Sequence, residues 1–170
     1  MDSFIEKLVT KKKAAVDFVI IAMILLALLL LLFFFFATNI RIGMGIDLLL
    51  VVGAIYLGIR IISSRNVEYE YILTNGDLDI DMIVAKRKRK RIFSANCKEF
   101  EILAPVKSNS FSQQVQSIKN RIDASSSIDS PGAYFTTLNY NNNKTLVIFE
   151  PDERMLKNFK IYIPRKVLNG

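Results

Sequence analysis

The residues that could do chemistry are few. The 170-residue chain has no histidine. That removes His-based general acid–base catalysis, Ser-His-Asp and Cys-His nucleophile systems, and His-containing metal sites. Its one cysteine, Cys97, has Lys98 beside it. A neighbouring ammonium lowers a thiol's pKa, but no base or orienting group is recognisable nearby. A lone cysteine also excludes an intrachain disulfide. Asp79 and Asp81 fall on one strand face about 7 Å apart, on the two-residue period. Two acids alone define no site, and a solvated strand face explains them. No phosphate-binding glycine loop and no metal-ligand spacing occurs. These absences favour a binding or scaffold role, with no catalytic residue, no metal and no cofactor.

The most unusual polar feature is an unbroken basic run, Lys86, Arg87, Lys88, Arg89, Lys90 and Arg91, in a chain of net charge +7. A basic balance points to an anionic partner. No aromatic residue is interleaved with the run, so base stacking is unsupported and nucleic acid is not expected. Two readings stand. The run contacts anionic phospholipid headgroups, or it is a solvated rim that reinforces membrane topology.

The elements that must position this run begin with two apolar segments. Phe18 to Ala37 is about 20 uncharged residues, which matches a hydrocarbon core of roughly 30 Å at about 1.5 Å per residue. It is too long for a signal-peptide core and lacks an A-x-A pattern. Ile46 to Ile62 is a shorter second span, with Arg60 able to snorkel to the interface. Thr38 to Gly45, with two glycines and Asn39, reads as the turn between them. Lys7, Lys11, Lys12 and Lys13 precede the first span. Arg60, Arg65 and the basic run follow the second, and the connecting loop has only Arg41. The positive-inside rule then puts both termini in the cytoplasm of a multi-pass protein of the cell membrane. Asp17 and Asp47 each begin a span, at opposite faces, where a carboxylate complements the helix dipole. Ala54 and Gly58 form a small-xxx-small pair that suits helix packing. Nothing here resembles a transport path.

The chain after about Asn66 reads as one domain. Val67 to Thr74 alternates, with Val67, Tyr69, Tyr71 and Leu73 on one face and Glu68 and Glu70 opposite. Asn75-Gly76 is a strong hairpin signal. Leu78 to Ala85 alternates again. The basic run follows, then Ile92-Phe93, a polar turn around Ser94 to Lys98, and a strand from Glu99 to Leu103. Phe111, Val115, Ile118 and Ile122 recur at helical spacing, so a short amphipathic helix is expected there. Ala133 to Tyr140 and Thr145 to Glu150 flank a turn at Asn141 to Lys144. Asp152 is a good N-cap for a final helix over about 152–163, with Met155, Leu156, Phe159, Tyr162 and Ile163 as its apolar face. Five or six strands and a covering helix result.

Tyr71-Ile72-Leu73-Thr74-Asn75-Gly76 leading into Leu78-Asp79-Ile80, the arginine-rich stretch into Arg91-Ile92-Phe93, and Ile148-Phe149-Glu150-Pro151 before a helix closing on Ile163-Pro164-Arg165 together resemble the bacterial PH-like domains of membrane proteins. The chain looks particularly like small two-span members from low-GC Gram-positive bacteria. Val106 to Ser130 is longer and more polar than their usual strand connection. The resemblance implies a fold and a membrane setting, and it supplies no catalytic residues. The expected architecture is a transmembrane hairpin within residues 1–65, then a mainly antiparallel PH-like β domain with a C-terminal helix over 66–170. The expected function is a non-enzymatic module at the inner leaflet that binds anionic headgroups or a protein partner. The alternative is a small structural subunit of a larger membrane complex, acting through its spans. The first strand leaves the membrane and runs about 26 Å, at roughly 3.3 Å per residue, and its partner returns. The basic run should therefore lie back near the lipid.

Overall fold

The alternating segments become strands because period-two burial lets one face join a core while the other stays polar. The computed structural model describes residues 4–38 and 46–168. In chain order these form β1 (Phe4–Thr10), α1 (Ala15–Thr38), α2 (Ile46–Ser64), β2 (Val67–Thr74), β3 (Asp77–Val84) and β4 (Lys88–Asn96). Then follow a 3-10 turn (Cys97–Glu99), β5 (Ile102–Pro105), α3 (Gln113–Gln116), β6 (Asn120–Asp123), β7 (Tyr134–Tyr140), β8 (Asn143–Phe149) and α4 (Glu153–Tyr162). The chain divides after Lys12 and again after Asn66, so β1 belongs with the β domain and the helical segment is a unit of its own.

The helical unit is built from α1 and α2. Among the described residues one helix, over Ala15–Phe35, is long and apolar enough to cross a membrane. Of α2, 19 residues long, the described side chains are those of Leu49–Ser64, a shorter apolar stretch. A β-carbon added at Gly58 would lie 3.1 Å from Leu28 Cδ1 and 3.4 Å from Ile24 Cγ2, so the missing side chain lets the two helices approach. Asp17 closes the start of α1 by accepting from the Ala14 N–H at 2.9 Å, and Arg65 Nε donates to it at 2.7 Å. The sequence offered only the helix dipole as Asp17's partner. The expected turn at Thr38 to Gly45 lies outside the described residues from Asn39 on, as does the side chain of Asp47.

The β domain has two four-stranded sheets, ordered β1-β2-β3-β4 and β5-β7-β8-β6. All neighbours are antiparallel except β6 and β8. Asn75 (φ 51°) and Gly76 (φ 91°) turn β2 into β3, as the Asn-Gly pair requires. Asn141 and Asn142 (φ 48° and 63°) do the same between β7 and β8. That turn is tighter than expected, since Asn143 and Lys144 already belong to β8. The inner faces meet in one core containing Tyr71, Leu73, Ile80, Phe93, Leu138, Phe149 and Phe159. Tyr71 ties the sheets together: its hydroxyl donates to the Ala124 carbonyl at 2.6 Å and accepts from the Glu150 N–H at 3.2 Å. Burial pushes that phenol well above its ordinary value.

Three local expectations are corrected. Residues 4–10 form a strand, where the sequence suggested only a basic leader to the first span. Ser94 to Asn96 continue β4 rather than turning, because Phe93 and Ala95 face the core. The helix over Phe111 to Ile122 shrinks to the single turn of α3, and Ile122 lies in β6 beside β8. The spacing of Phe111, Val115 and Ile118 is real but serves another purpose. With Ile128 they cover the far side of the second sheet, over Ala104, Phe135, Leu146 and Ile148. The polar insertion is a cover for a second small core.

The last helix forms as its cap dictates. Asp152 Oδ1 accepts from the Met155 N–H at 2.7 Å, and Met155 and Phe159 are buried. Partial burial pushes the Asp152 carboxyl up, but the Met155 N–H and Arg154 outweigh it and hold the pKa below its ordinary value. Asp152→Ala is expected to cost about 1 kcal/mol, read as a shift in the denaturation midpoint of the detergent-solubilised chain. The folded pKa lies below the unfolded one. The contribution is therefore complete above about pH 4 and fades as pH falls through the folded value.

Candidate functional site

The basic run is divided by the strand on which most of it lies. In an antiparallel pair, directly opposed residues share a face. Val84 pairs with Lys88, Ile83 with Arg89, Met82 with Lys90 and Asp81 with Arg91. The ladder then slips by one residue, and Ile80 pairs with Phe93. Without that slip Arg91 and Phe93, two apart, would share a face. The bulge at Ile92 lets Arg91 point to the polar face while Phe93 enters the core.

On the polar face Arg91 meets both acids that the sequence singled out. Its Nε lies 2.8 Å from Asp81 Oδ1, and its Nη1 lies 2.7 Å from Asp79 Oδ2. Ser94 Oγ donates to the other Asp79 oxygen at 2.6 Å. Arg89 reaches diagonally to Glu70, with Nη2 2.8 Å from Oε1 and 2.7 Å from Oε2. Asp81 is only 4% exposed and Glu70 only 6%. Burial pushes the Glu70 carboxyl above its ordinary value, with Glu6 adding to the rise and Arg89 opposing it. Asp79 and Asp81 are thus the counter-ions of β4, and not a free acidic pair. Arg89 and Arg91 in turn neutralise the sheet's own carboxylates.

The other four cations are exposed, and none makes an ion pair among the described residues. Lys86 and Arg87 form the β3–β4 turn, closed by the Arg87 N–H on the Val84 carbonyl at 3.1 Å. Ala85 and Lys86 both sit at φ 54°, a left-handed conformation that costs a non-glycine residue on the order of 1 kcal/mol. Lys88 and Lys90 follow on the side of β4 opposite Arg89 and Arg91.

The turn occupies a defined end of the first sheet. Val84 pairs with Val67, and Glu68 pairs with Thr10. Lys11 continues the ladder with its N–H on the Val67 carbonyl at 2.9 Å, and the Lys12 N–H reaches the Ser126 carbonyl at 3.0 Å. This is the end from which both connections to the helical unit leave. It gathers Lys11, Lys12, Lys86, Arg87 and Lys88. Lys11 is partly engaged, its ammonium 5.8 Å from the Tyr69 ring centre.

Sequence reasoning missed β1. The clue was the apolar set Phe4, Ile5, Leu8 and Val9, which follows neither a clean strand nor a clean helix period. Lys7 looked like a flanking charge for the first span. Its ammonium instead donates to the Glu150 carbonyl at 2.8 Å. Cys97 also reads differently. It is fully buried, and burial with Asp77 nearby pushes its thiol up, against the smaller downward pull of Lys98. Among the described residues no three His, Cys, Asp or Glu side chains stand together to hold a metal ion.

A sequence model described as Bacterial PH-like domain (DUF6106) matches residues 1–169. The chain belongs to this family. No curated protein and no solved structure matches it. The match begins at residue 1, so the bacterial PH-like family's own sequence pattern takes in β1 and both helices as well as the remaining strands.

The two classes of cation predict different phenotypes. Arg91→Ala should destabilise the β domain by on the order of 2 kcal/mol, because buried Asp81 loses its close partner and keeps only Arg89, 4.0 Å away. Lys90→Ala should change stability by less than about 0.5 kcal/mol. Denaturant titration of the two full-length variants in detergent separates them.

Proposed function

We propose that this PH-like protein is a membrane-anchored, non-enzymatic binding module whose exposed basic sheet end contacts anionic headgroups at the inner leaflet. The single observation that carries the proposal is the coincidence of two features at one end of the first sheet. Lys86, Arg87 and Lys88, which make no ion pair among the described residues, are there, and both connections to the apolar helical unit leave from there. Lys90 lies one step further along β4. The connections are only four residues (11–14) and two residues (65–66) long. Four cations near an anionic surface are worth on the order of 1 kcal/mol each before any loss of additivity. A lysine held at positive φ, where glycine would cost less, is consistent with retention of its side chain for contact.

The anchor is proposed to be a two-span hairpin. A single crossing by α1 would leave β1 and β2 on opposite sides of the bilayer, yet they are neighbours in one sheet. The return requires α2. The Asp17–Arg65 ion pair, between the first turn of α1 and the segment after α2, supports an antiparallel hairpin. The excess of Lys and Arg at this end favours the cytoplasmic side for both flanks.

The test uses the full-length chain in nanodiscs of neutral lipid or of lipid with an anionic fraction. Amides of the turn at 85–88 should exchange several-fold more slowly in the anionic discs. Replacing Lys86, Arg87, Lys88 and Lys90 together by alanine should abolish the difference. Equal exchange in both discs would contradict headgroup contact.

A further inference from the structure

We infer that β1 is a topological latch: its pairing with β2 outside the bilayer holds the marginal second helix in its spanning position. The inference rests on the two-span reading above and adds a cause for it.

The second helix is the weaker span of the two. Its 19 residues, Ile46–Ser64, reach about 28 Å at 1.5 Å per residue, close to a core of roughly 30 Å, so its weakness lies in composition. It includes Gly53, Gly58 and Arg60. The first helix has none of these weaknesses. Left to hydropathy, chains in which only α1 crosses would compete with the hairpin, and those chains would carry the C-terminal strands to the far side of the membrane.

The β1 strand discriminates between the two arrangements. All seven of its residues pair with β2, from Phe4 opposite Thr74 to Thr10 opposite Glu68. Val9 is buried in the main core, with Ile5 packed against it. Lys7 is bonded to Glu150, and the Lys12 N–H to Ser126, both outside the first sheet. These interactions exist only when residues before α1 and after α2 share one side. Their free energy is therefore a differential term between the two topologies, which is what shifting a population requires. The latch closes late, because β1 is synthesised before α1 and its partner only after α2.

The test reads the side on which the β domain resides in intact bacterial cells. A cysteine is placed at exposed Gln114 in a Cys97→Ala chain and challenged with a membrane-impermeant maleimide. The parent should stay unlabelled. Val9→Pro, which removes a ladder donor and a core side chain, should label several-fold above background. A second change, Gly53→Leu, strengthens α2 where an added β-carbon meets nothing within 4 Å. The Val9→Pro/Gly53→Leu chain should return to the parent's low labelling, although its β domain is still damaged. Labelling of Val9→Pro no higher than the parent would overturn the latch, as would failure of Gly53→Leu to reverse it. A parent labelled from outside would instead contradict the two-span reading itself.

Discussion

The pairing of β1 with β2 is the constraint on which the rest depends. These strands are neighbours in space with the whole apolar helical segment between them in sequence. A β domain interrupted in this way closes only if the interrupting segment returns to its starting point. The helical unit meets that demand locally, through the close approach at Gly58 and the Asp17–Arg65 pair. The proposed anchor and the domain are thus one covalent loop closed by a strand ladder.

The same sheet explains why six consecutive cations do not act alike. An edge strand dense in Lys and Arg resists edge-to-edge association, but β4 carries an additional assignment. Its bulge sends Arg91 toward Asp79 and Asp81 and Phe93 into the core, while Arg89 compensates Glu70. Those arginines serve stability, because the carboxylates they face are largely out of water. Lys86, Arg87, Lys88 and Lys90 make no ion pair among the described residues, and these are the cations proposed to meet an anionic surface. Arginine suits the first task through its planar fork, and lysine suits the second as a point charge.

Much of the domain could be read from sequence because its signals are local. Asn75-Gly76, the two alternating segments around it and the Asp152 cap each act within a few residues, and each appears where expected. The illegible parts depend on partners distant in sequence. The mixed spacing of Phe4, Ile5, Leu8 and Val9 in FIEKLVT announces no strand by itself, because the partner begins only at Val67. The period of Phe111, Val115 and Ile118 mimics a helix, although these residues are spaced to cover one sheet face. The basic run was visible at once. Its division into paired and unpaired members was not, because it depends on a one-residue bulge and on Glu70 two strands away.

On the proposed reading, β1 and β2, the flanks of the helical segment, stay adjacent strands when the protein sits in the membrane. Paired cysteines test it directly. Thr10→Cys with Glu68→Cys, in a Cys97→Ala chain, places two thiols at directly opposed positions of the ladder, where β-carbons lie about 5 Å apart. Mild oxidation of native membranes should crosslink this pair nearly completely. Thr10→Cys with Thr74→Cys, at opposite ends of the ladder, should stay reduced. Absence of the first crosslink, or equal yields from both pairs, would contradict that adjacency.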